Sequence, residues 1–262
     1  MGCSKCGRPG VIFQDYSGLD LCPQHFREDF LHKAKKTVRQ NHWLVPGTRY
    51  AVALSGGLKS CALLDFMRTL VEGRKDVHLM AVTVRNSDPD AMENAKSITE
   101  ASGIPWFAIP GEDAGIKQVN RPGAINESPF PAHEQIESQL TLMAAELKFG
   151  TLAFGYTLED HAAWVLWNVI SGNRTRKSAY PTETRKRARI IRPFMHIPGR
   201  ELDLYTRLFL NGYDEKMRAE NGTPVDNPIG TLLARFYNRH PGVPYALVNI
   251  GEQVKKFRDQ IS

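Results

Sequence analysis

From Arg49 onward, short apolar runs alternate with amphipathic stretches. Strand-like runs at Arg49–Leu54, Val77–Val84, Pro105–Ile109 and Thr151–Phe154 are separated by helical periodicity near Leu58–Glu72, Ala91–Ser102, His133–Lys148 and Asp160–Ile170. This alternation predicts an α/β fold, a doubly wound parallel sheet with helices on both faces. Ahead of it, Phe26, Phe30, Leu31, Ala34 and Val38 recur at helical spacing with charges between them, and Pro46-Gly47 breaks the chain before the first strand. Residues 111–132, where Gly, Pro and Asn are frequent, read as a long loop suited to ordering on substrate binding. Helical patterns at Arg200–Leu210, Ile229–Asn238 and Pro244–Ile261 complete the chain. The expected division is a small N-terminal knob (1–27), a linking helix (28–46), the α/β domain (47–215) and a C-terminal helical segment (216–262).

The segment Ser55-Gly56-Gly57-Leu58-Lys59-Ser60 joins the first strand to its helix. Two glycines let backbone turn sharply and approach an anion, while Ser55, Ser60 and the first amides of the helix supply donors and positive dipole. A Walker A loop would need Gly in place of Ala53 and Leu58, so this is a different phosphate cradle or an ordinary Gly-rich turn. Ligands of such sheets sit where strand ends meet helix starts, which is where this loop falls. At the end of the fourth strand, Gly155-Tyr156-Thr157-Leu158-Glu159-Asp160-His161 opens another helix. Adjacent carboxylates there suit Mg²⁺ beside a triphosphate, and equally suit the dipole of a helix start.

Cys3-x2-Cys6 and Cys22-x2-His25 give two knuckles, and the four side chains form a tetrahedral zinc set of three thiolates and one imidazole. A closed set of four leaves no open position for chemistry and implies a structural metal. Of the four cysteines in the 262 residues, Cys61 alone lies outside this set, and it reads as a small buried helix residue ahead of a reactive thiol. Trp164 and Trp167 read as helix core before base-stacking platform, and His161 and His196 have no partner visible in sequence, so no metal is assigned to them.

Composition changes this picture little. With 42% hydrophobic and 24% charged residues and no apolar run near the roughly 18 to 20 residues that span a bilayer, no membrane partner is expected. The amino terminus lacks the apolar core of a secretory signal, so a cytoplasmic protein is expected. The net charge of +6 gathers in Arg27 to Arg39 and in Arg174–Lys177 with Arg185–Arg189, a region that also holds Tyr180. Such clusters suit a nucleic-acid backbone or a solvated loop.

The Ser55–Ser60 loop resembles the SGGxDS loop of PP-loop ATP pyrophosphatases, and Gly155–Asp160 resembles the GHNxDD segment of their tRNA 2-thiolation branch. Arg189-Ile190-Ile191-Arg192-Pro193-Phe194, Glu201, Tyr205 and the Phe209–Tyr213 stretch are similar to the tail of the TtuA/Ncs6/TtcA group, and the zinc knuckles match members of that group. The resemblance implies that ATP is bound and a base oxygen attacks the α-phosphorus, after which sulfur displaces AMP. By position, Ser55, Gly56, Gly57 and Ser60 bind phosphates, Ala53 and Thr83 line the adenine side and Gly155 belongs to the same site. Lys59 and Asp160 are the catalytic candidates, Asp160 facing Mg²⁺, and Arg192 meets phosphate or RNA.

The chain departs from the group at several positions. Lys59 stands where the loop usually carries Asp, and Tyr156 and Glu159 replace the usual His and Asp. Three further cysteines that hold an iron–sulfur cluster or persulfide in sulfur-transferring members are missing from Pro129–His133 and Asp214–Asp226, as is a second, C-terminal zinc site. No iron–sulfur cluster is therefore expected. The expected function is adenylation of a base in tRNA or another nucleic acid with pyrophosphate release, the sulfur coming from a partner protein or small molecule. Two alternatives stay open: a degenerate relative that binds RNA or a partner protein, and adenylation completed by an amine. A homodimer is among the open assemblies.

Overall fold

The computed structural model describes residues 2–85, 89–111, 131–171, 188–210, 228–237 and 239–261. A two-stranded antiparallel hairpin, β1 (Ile12–Gln14) and β2 (Leu19–Leu21), leads into helix α1 (Pro23–Gln40). Pro23 at the first helical position costs no hydrogen bond, because the amide it lacks would have no intrahelical acceptor. The helix buries Phe26, Phe30, Ala34, Thr37 and Val38 on one face, with the basic residues Arg27, Lys36 and Arg39 exposed.

Five parallel strands follow in the order β5-β4-β3-β6-β7: β3 (Arg49–Ala53), β4 (His78–Val84), β5 (Trp106–Ile109), β6 (Thr151–Ala153) and β7 (Arg189–Ile191). The connecting helices are α2 (Leu58–Val71), α3 (Pro89–Ser102), α4 (Pro131–Leu142), α5 (Ala144–Leu147) and α6 (Leu158–Ile170). Then come α7 (Gly199–Phe209), α8 (Pro228–Tyr237) and α9 (Val243–Ile261).

The two faces of β3 show why the sheet is doubly wound. Successive strand side chains point to opposite sides, so Tyr50 and Val52 join the core built with α1, α2 and α7, while Ala51 packs with Leu140, Ala144 and Phe149 of the α4–α5 side. On the first face Phe30 stacks on Tyr205 of α7, ring centroids 4.1 Å apart, and Phe194 lies 5.4 Å from Phe30 and 5.5 Å from Phe66 of α2. Helices α8 and α9 pack on α6 through Ile229, Leu233, Ala163 and Leu247.

Three details differ from the sequence expectation. The helix expected over His133–Lys148 breaks at Met143 into α4 and α5, and Lys148 ends it in a left-handed conformation at φ 56°. The fifth strand, β7, and the hairpin have strands of three residues, too short to show an alternation. The expected helical knob-to-domain link starts inside the knob, since Cys22 precedes the first turn of α1.

Glu201, with no exposed surface, ties the knob to the sheet domain. Its Oε1 accepts from the Tyr16 hydroxyl at 2.5 Å and from Gln14 Nε2 at 3.2 Å, and its Oε2 pairs with Lys33 Nζ at 3.0 Å. Lys33 also pairs with Asp29 at 2.5 Å and bonds the Tyr16 hydroxyl. Burial, then the Glu201 charge, pushes the Tyr16 phenol far above its ordinary value, so it remains a donor. Removing one member of a buried charge pair strands the other. Glu201→Ala is expected to lower stability by about 3 kcal/mol in urea unfolding, with faster proteolytic cutting of the knob; an unchanged midpoint would show that the network does not dock it.

Candidate nucleotide and metal sites

The chain leaves β3 through Leu54, whose amide bonds Val82 O at 2.9 Å and whose carbonyl accepts from the Thr83 hydroxyl at 2.6 Å. Gly56 then takes φ +81°, where an added Cβ would lie 2.0 Å from Ala91 O of α3. Only glycine meets both demands. Gly57 precedes the first turn of α2, whose leading amides have no intrahelical acceptor. Ser60 Oγ accepts from Ser55 N at 3.2 Å and donates to Gly57 O at 2.8 Å, closing the loop on itself, with Ser55 Oγ 3.2 Å away. The result is a preformed turn at a helix start with Ser55 exposed at its surface, the arrangement that binds anions.

The turn after β6 presses against this loop. A Cβ on Gly155 would fall 2.6 Å from Lys59 O, so glycine is needed here for close approach. Asp160 completes the contact: its Oδ2 accepts from Lys59 Nζ at 2.6 Å, Thr157 N at 2.9 Å and Thr157 Oγ1 at 3.0 Å. It therefore caps α6 and binds α2 at once. Burial alone would raise its pKa, but the Lys59 charge and the Thr157 bonds overcome this and hold it below the ordinary 3.8.

The sequence candidates divide between those the structure brings together and those it employs elsewhere. Ser55, Gly56, Gly57, Lys59, Ser60, Gly155 and Asp160 converge. Glu159 does not join Asp160 as a second metal-facing carboxylate, because its Oε2 accepts from Gly199 N at 2.8 Å and caps α7 instead. Ala53 is half-buried at the end of β3, and the buried Thr83 hydroxyl is committed to Leu54 O and to Trp106 Nε1, the latter at 2.8 Å. Arg192, expected to meet phosphate or RNA, pairs with Glu137 Oε1 at 2.7 Å with only 8% of its side chain exposed. The Arg174–Lys177 cluster, Tyr180, Arg185–Arg187, most of the 111–132 loop and the Tyr213 end of the tail motif lie outside the described residues.

Beside Asp160 opens a cleft of about 50 Å³, lined by Glu134, Glu137, Tyr156, Asp160, His161, Trp164 and Arg192. The Arg192 guanidinium lies 5.6 Å from the Tyr156 ring centre and 5.8 Å from that of Trp164. Burial, then Arg192 and His196, pushes His161 down to about 3, so its ring is neutral. Trp164 is therefore a cleft wall as well as a core residue, while Trp167 packs with α8 and α9. His196, without a partner visible in sequence, lies 3.2 Å from Glu252 of α9. Glu134 and Glu137 escaped sequence reasoning, their only signal being two acids on the helix that carries the buried Leu140.

In the knob, the Cys3, Cys6, Cys22 and His25 donor atoms lie within 4.8 Å of one another. Cys6 and Cys22 sulfurs are 3.7 Å apart, and His25 Nδ1 is 3.3 Å from Cys3 Sγ and 3.4 Å from Cys22 Sγ. Two thiolates on a metal at 2.3 Å in tetrahedral geometry sit about 3.8 Å apart, so the set fits a four-coordinate ion. Burial pushes the Cys3 thiol up, but the Cys22 and Lys5 amides and then His25 bring it down to about 6, toward the ligating thiolate. Cys61 is different: burial raises its thiol to about 12, with only the Ser60 hydroxyl opposing, leaving an inert packing group.

Residues 3–27 match the family model described as 2-thiouridine synthetase TtuA, N-terminal LIM domain. The chain is similar to a tRNA-5-methyluridine(54) 2-sulfurtransferase of Thermus thermophilus, 25% identical over 79% of this chain and 66% of that one. It is also similar to the tRNA 2-thiolation protein NcsA of Haloferax volcanii, 23% identical over 95% of this chain and 85% of the relative. A solved U34-tRNA thiolase NcsA from Methanococcus maripaludis, described with its 4Fe–4S cluster, has the same fold: the TM-score is 0.76 at 22% identity, over 97% of this chain and 88% of that one.

The shared Asp160 carboxylate predicts a pH signature. Asp160→Asn is expected to cost about 1–2 kcal/mol, mostly as a lost helix cap, because Lys59 is 37% exposed and its attraction is screened. Since the folded-state pKa is depressed, the wild-type advantage is complete above 3.8 and disappears as pH falls through the lower folded value. Thermal unfolding of both proteins from pH 7 to pH 2 checks this, and a gap that does not close in acid would contradict it.

Proposed function

We propose that this chain, similar to TtuA- and NcsA-type tRNA 2-thiolation proteins, is an ATP-dependent transferase that adenylates a base of tRNA and releases pyrophosphate. The observation that carries this reading is the Gly56–Gly57 turn at the start of α2, closed by Ser55 and Ser60, with Ser55 exposed and Lys59 turned toward Asp160. In this reading the amides at the start of α2 and the Ser55 hydroxyl take the phosphates. Ala53 borders the adenine, and Thr83 acts through Leu54 by fixing the strand end from which the loop departs.

Lys59 and Asp160 then act as one unit. The ammonium lies next to the loop and neutralises charge developing on the phosphates, and Asp160 is the carboxylate available to a triphosphate-bound Mg²⁺. Bound Mg²⁺ would supply further charge neutralisation at the phosphates. Lys59 substitutes a fixed cation for the family's usual acid, so less of that neutralisation falls to the metal.

The four-ligand knob holds a structural zinc, supported by its three thiolates and one imidazole at tetrahedral spacing. These ligands account for three of the four cysteines, and Cys61 is buried with its thiol pushed up to about 12. Outside the knob a single thiol remains, too few for an iron–sulfur cluster, so in this reading the three knob thiolates serve the zinc. The group that displaces AMP comes from outside the chain. A cytoplasmic setting accords with the free thiols and a tRNA substrate, and no described helix is long and apolar enough to cross a membrane. The exposed Lys36 and Arg39 of α1 offer phosphate contacts.

Incubating the zinc-loaded chain with ATP and bulk tRNA is expected to release pyrophosphate, and Gly56→Ala is expected to cut that release at least tenfold by displacing the loop from Ala91. Lys59→Asp separates this reading from a degenerate one. Turnover in the variant alone, with no ATP binding by wild type, would overturn the proposal.

A further inference from the structure

The parallel strands all begin at one edge of the sheet, and hydrogen bonds hold several cations in place along it. Arg189, the first residue of β7, donates to His42 O at 3.3 Å and to Asn41 O at 3.2 Å, which lashes the end of α1 to the sheet. Its amide bonds Gly150 O at 2.9 Å, and the Gly150 amide bonds the carbonyl of Arg49, the first residue of β3, at 3.0 Å. Arg49 is in register with His78, the first residue of β4. Arg39, Arg49, Lys75 and Lys148 are exposed here with no side-chain partner among the described residues, and Lys36 continues the row one turn back along α1. Arg74 and Asp76 neutralise each other, and the further acids described at this end are Glu72, Glu100 and Glu146. The cations therefore outweigh the acids. Lys148 and His42 are also the two residues other than glycine with positive φ among those described, at 56° and 51°. Each stands at a helix end, where glycine is the usual occupant and a Cβ works against the backbone. Basic side chains kept at such positions point to a use for those side chains.

We propose that this edge is a second RNA-binding surface, which grips the sugar–phosphate backbone of the same RNA whose base is offered to the nucleotide loop. The proposal rests on the tRNA reading above and deepens it by adding a contact face remote from the reacting atoms. β3 has five residues of about 3.4 Å each, so the edge lies roughly 17 Å from the loop at the other end of that strand. A small substrate does not bridge that span, whereas a folded RNA does. The strands β4, β3, β6 and β7 stand about 4.8 Å apart, so their starts spread the cations over roughly 14 Å. A row of that length tracks successive phosphates of one backbone, while a compact anion is held by a single nest of amides. Such contacts carry no sequence information; they set the register and orientation of the RNA.

Equilibrium binding of bulk tRNA to the full, zinc-loaded chain tests this, measured by filter retention between about 50 and 200 mM salt. Arg49→Gln combined with Lys75→Gln and Lys148→Gly is expected to weaken binding about tenfold and to make its salt dependence shallower, with ATP binding unchanged. A charge-matched variant away from the edge, Lys96→Gln with Arg235→Gln and Arg239→Gln, is expected to leave tRNA affinity within about twofold of wild type. Lys148→Gly alone separates use of the side chain from a structural role. Glycine suits the left-handed backbone there, so thermal stability is expected to hold or rise while tRNA affinity falls about twofold. Undiminished tRNA affinity in the triple variant, or equal weakening by the charge-matched one, overturns the assignment. Vesicles of phosphatidylserine and phosphatidylcholine form a second arm: vesicle binding that needs the edge cations, with tRNA binding that does not, makes the edge a membrane surface and overturns the RNA assignment. If the triple variant loses tRNA while wild type binds tRNA without releasing pyrophosphate, the adenylation reading fails and this surface stands.

Discussion

Everything in the candidate site depends on the contact between the starts of two helices. Asp160 accepts three hydrogen bonds on one oxygen, from Lys59 across the contact and from both the amide and the hydroxyl of Thr157 within its own helix. Gly155 allows this by leaving room for the Lys59 carbonyl. Two positive helix ends would repel if brought together unshielded, and the half-buried carboxylate between them offsets that repulsion. The loop of Gly56 and the acidic cleft thus lie on either side of one ion pair. Charge brought to either side is felt at the other through Asp160.

A second polar cluster has a different task. The Glu201 network joins β1, α1 and α7, three elements from distant parts of the sequence, and orients the metal knob against the aromatic stack of Phe30, Tyr205 and Phe194. Hydrophobic burial supplies most of the attraction there, but it is non-directional. A fully buried carboxylate with three separate donors has a single satisfactory arrangement, so it selects the docking angle. From Glu201 the same helix leads back to Gly199, whose amide is capped by Glu159, the neighbour of Asp160.

The sheet and most of its helices were legible because β3, β4 and α2 are long enough for their period to show, and because Gly56 of the Ser55–Ser60 loop has a steric reason for being glycine. The metal knuckles were legible from spacing alone. What escaped was set by contacts far apart in sequence. The ion pair of Lys59 with Asp160 spans 101 positions, and that of Arg192 with Glu137 spans 55, so no local pattern reveals either. Glu201 gave a faint sign, an acid in line with Leu202 and Tyr205 on a face that should be apolar. The adjacent Glu159 and Asp160 suggested a shared ion, yet helix geometry turns neighbouring side chains about 100° apart, and each caps a different helix.

The placement of His25 has a consequence of its own. It lies in the opening turn of α1, and Phe26, the next residue, is fully buried. Oxidation of the knob thiols, or capture of their ion by a chelator, would therefore fray the helix at the end nearest the aromatic stack. Folding quality is in this way made conditional on metal supply and on a reducing surrounding. Loss of order there would open the first thirty or so residues to proteolysis.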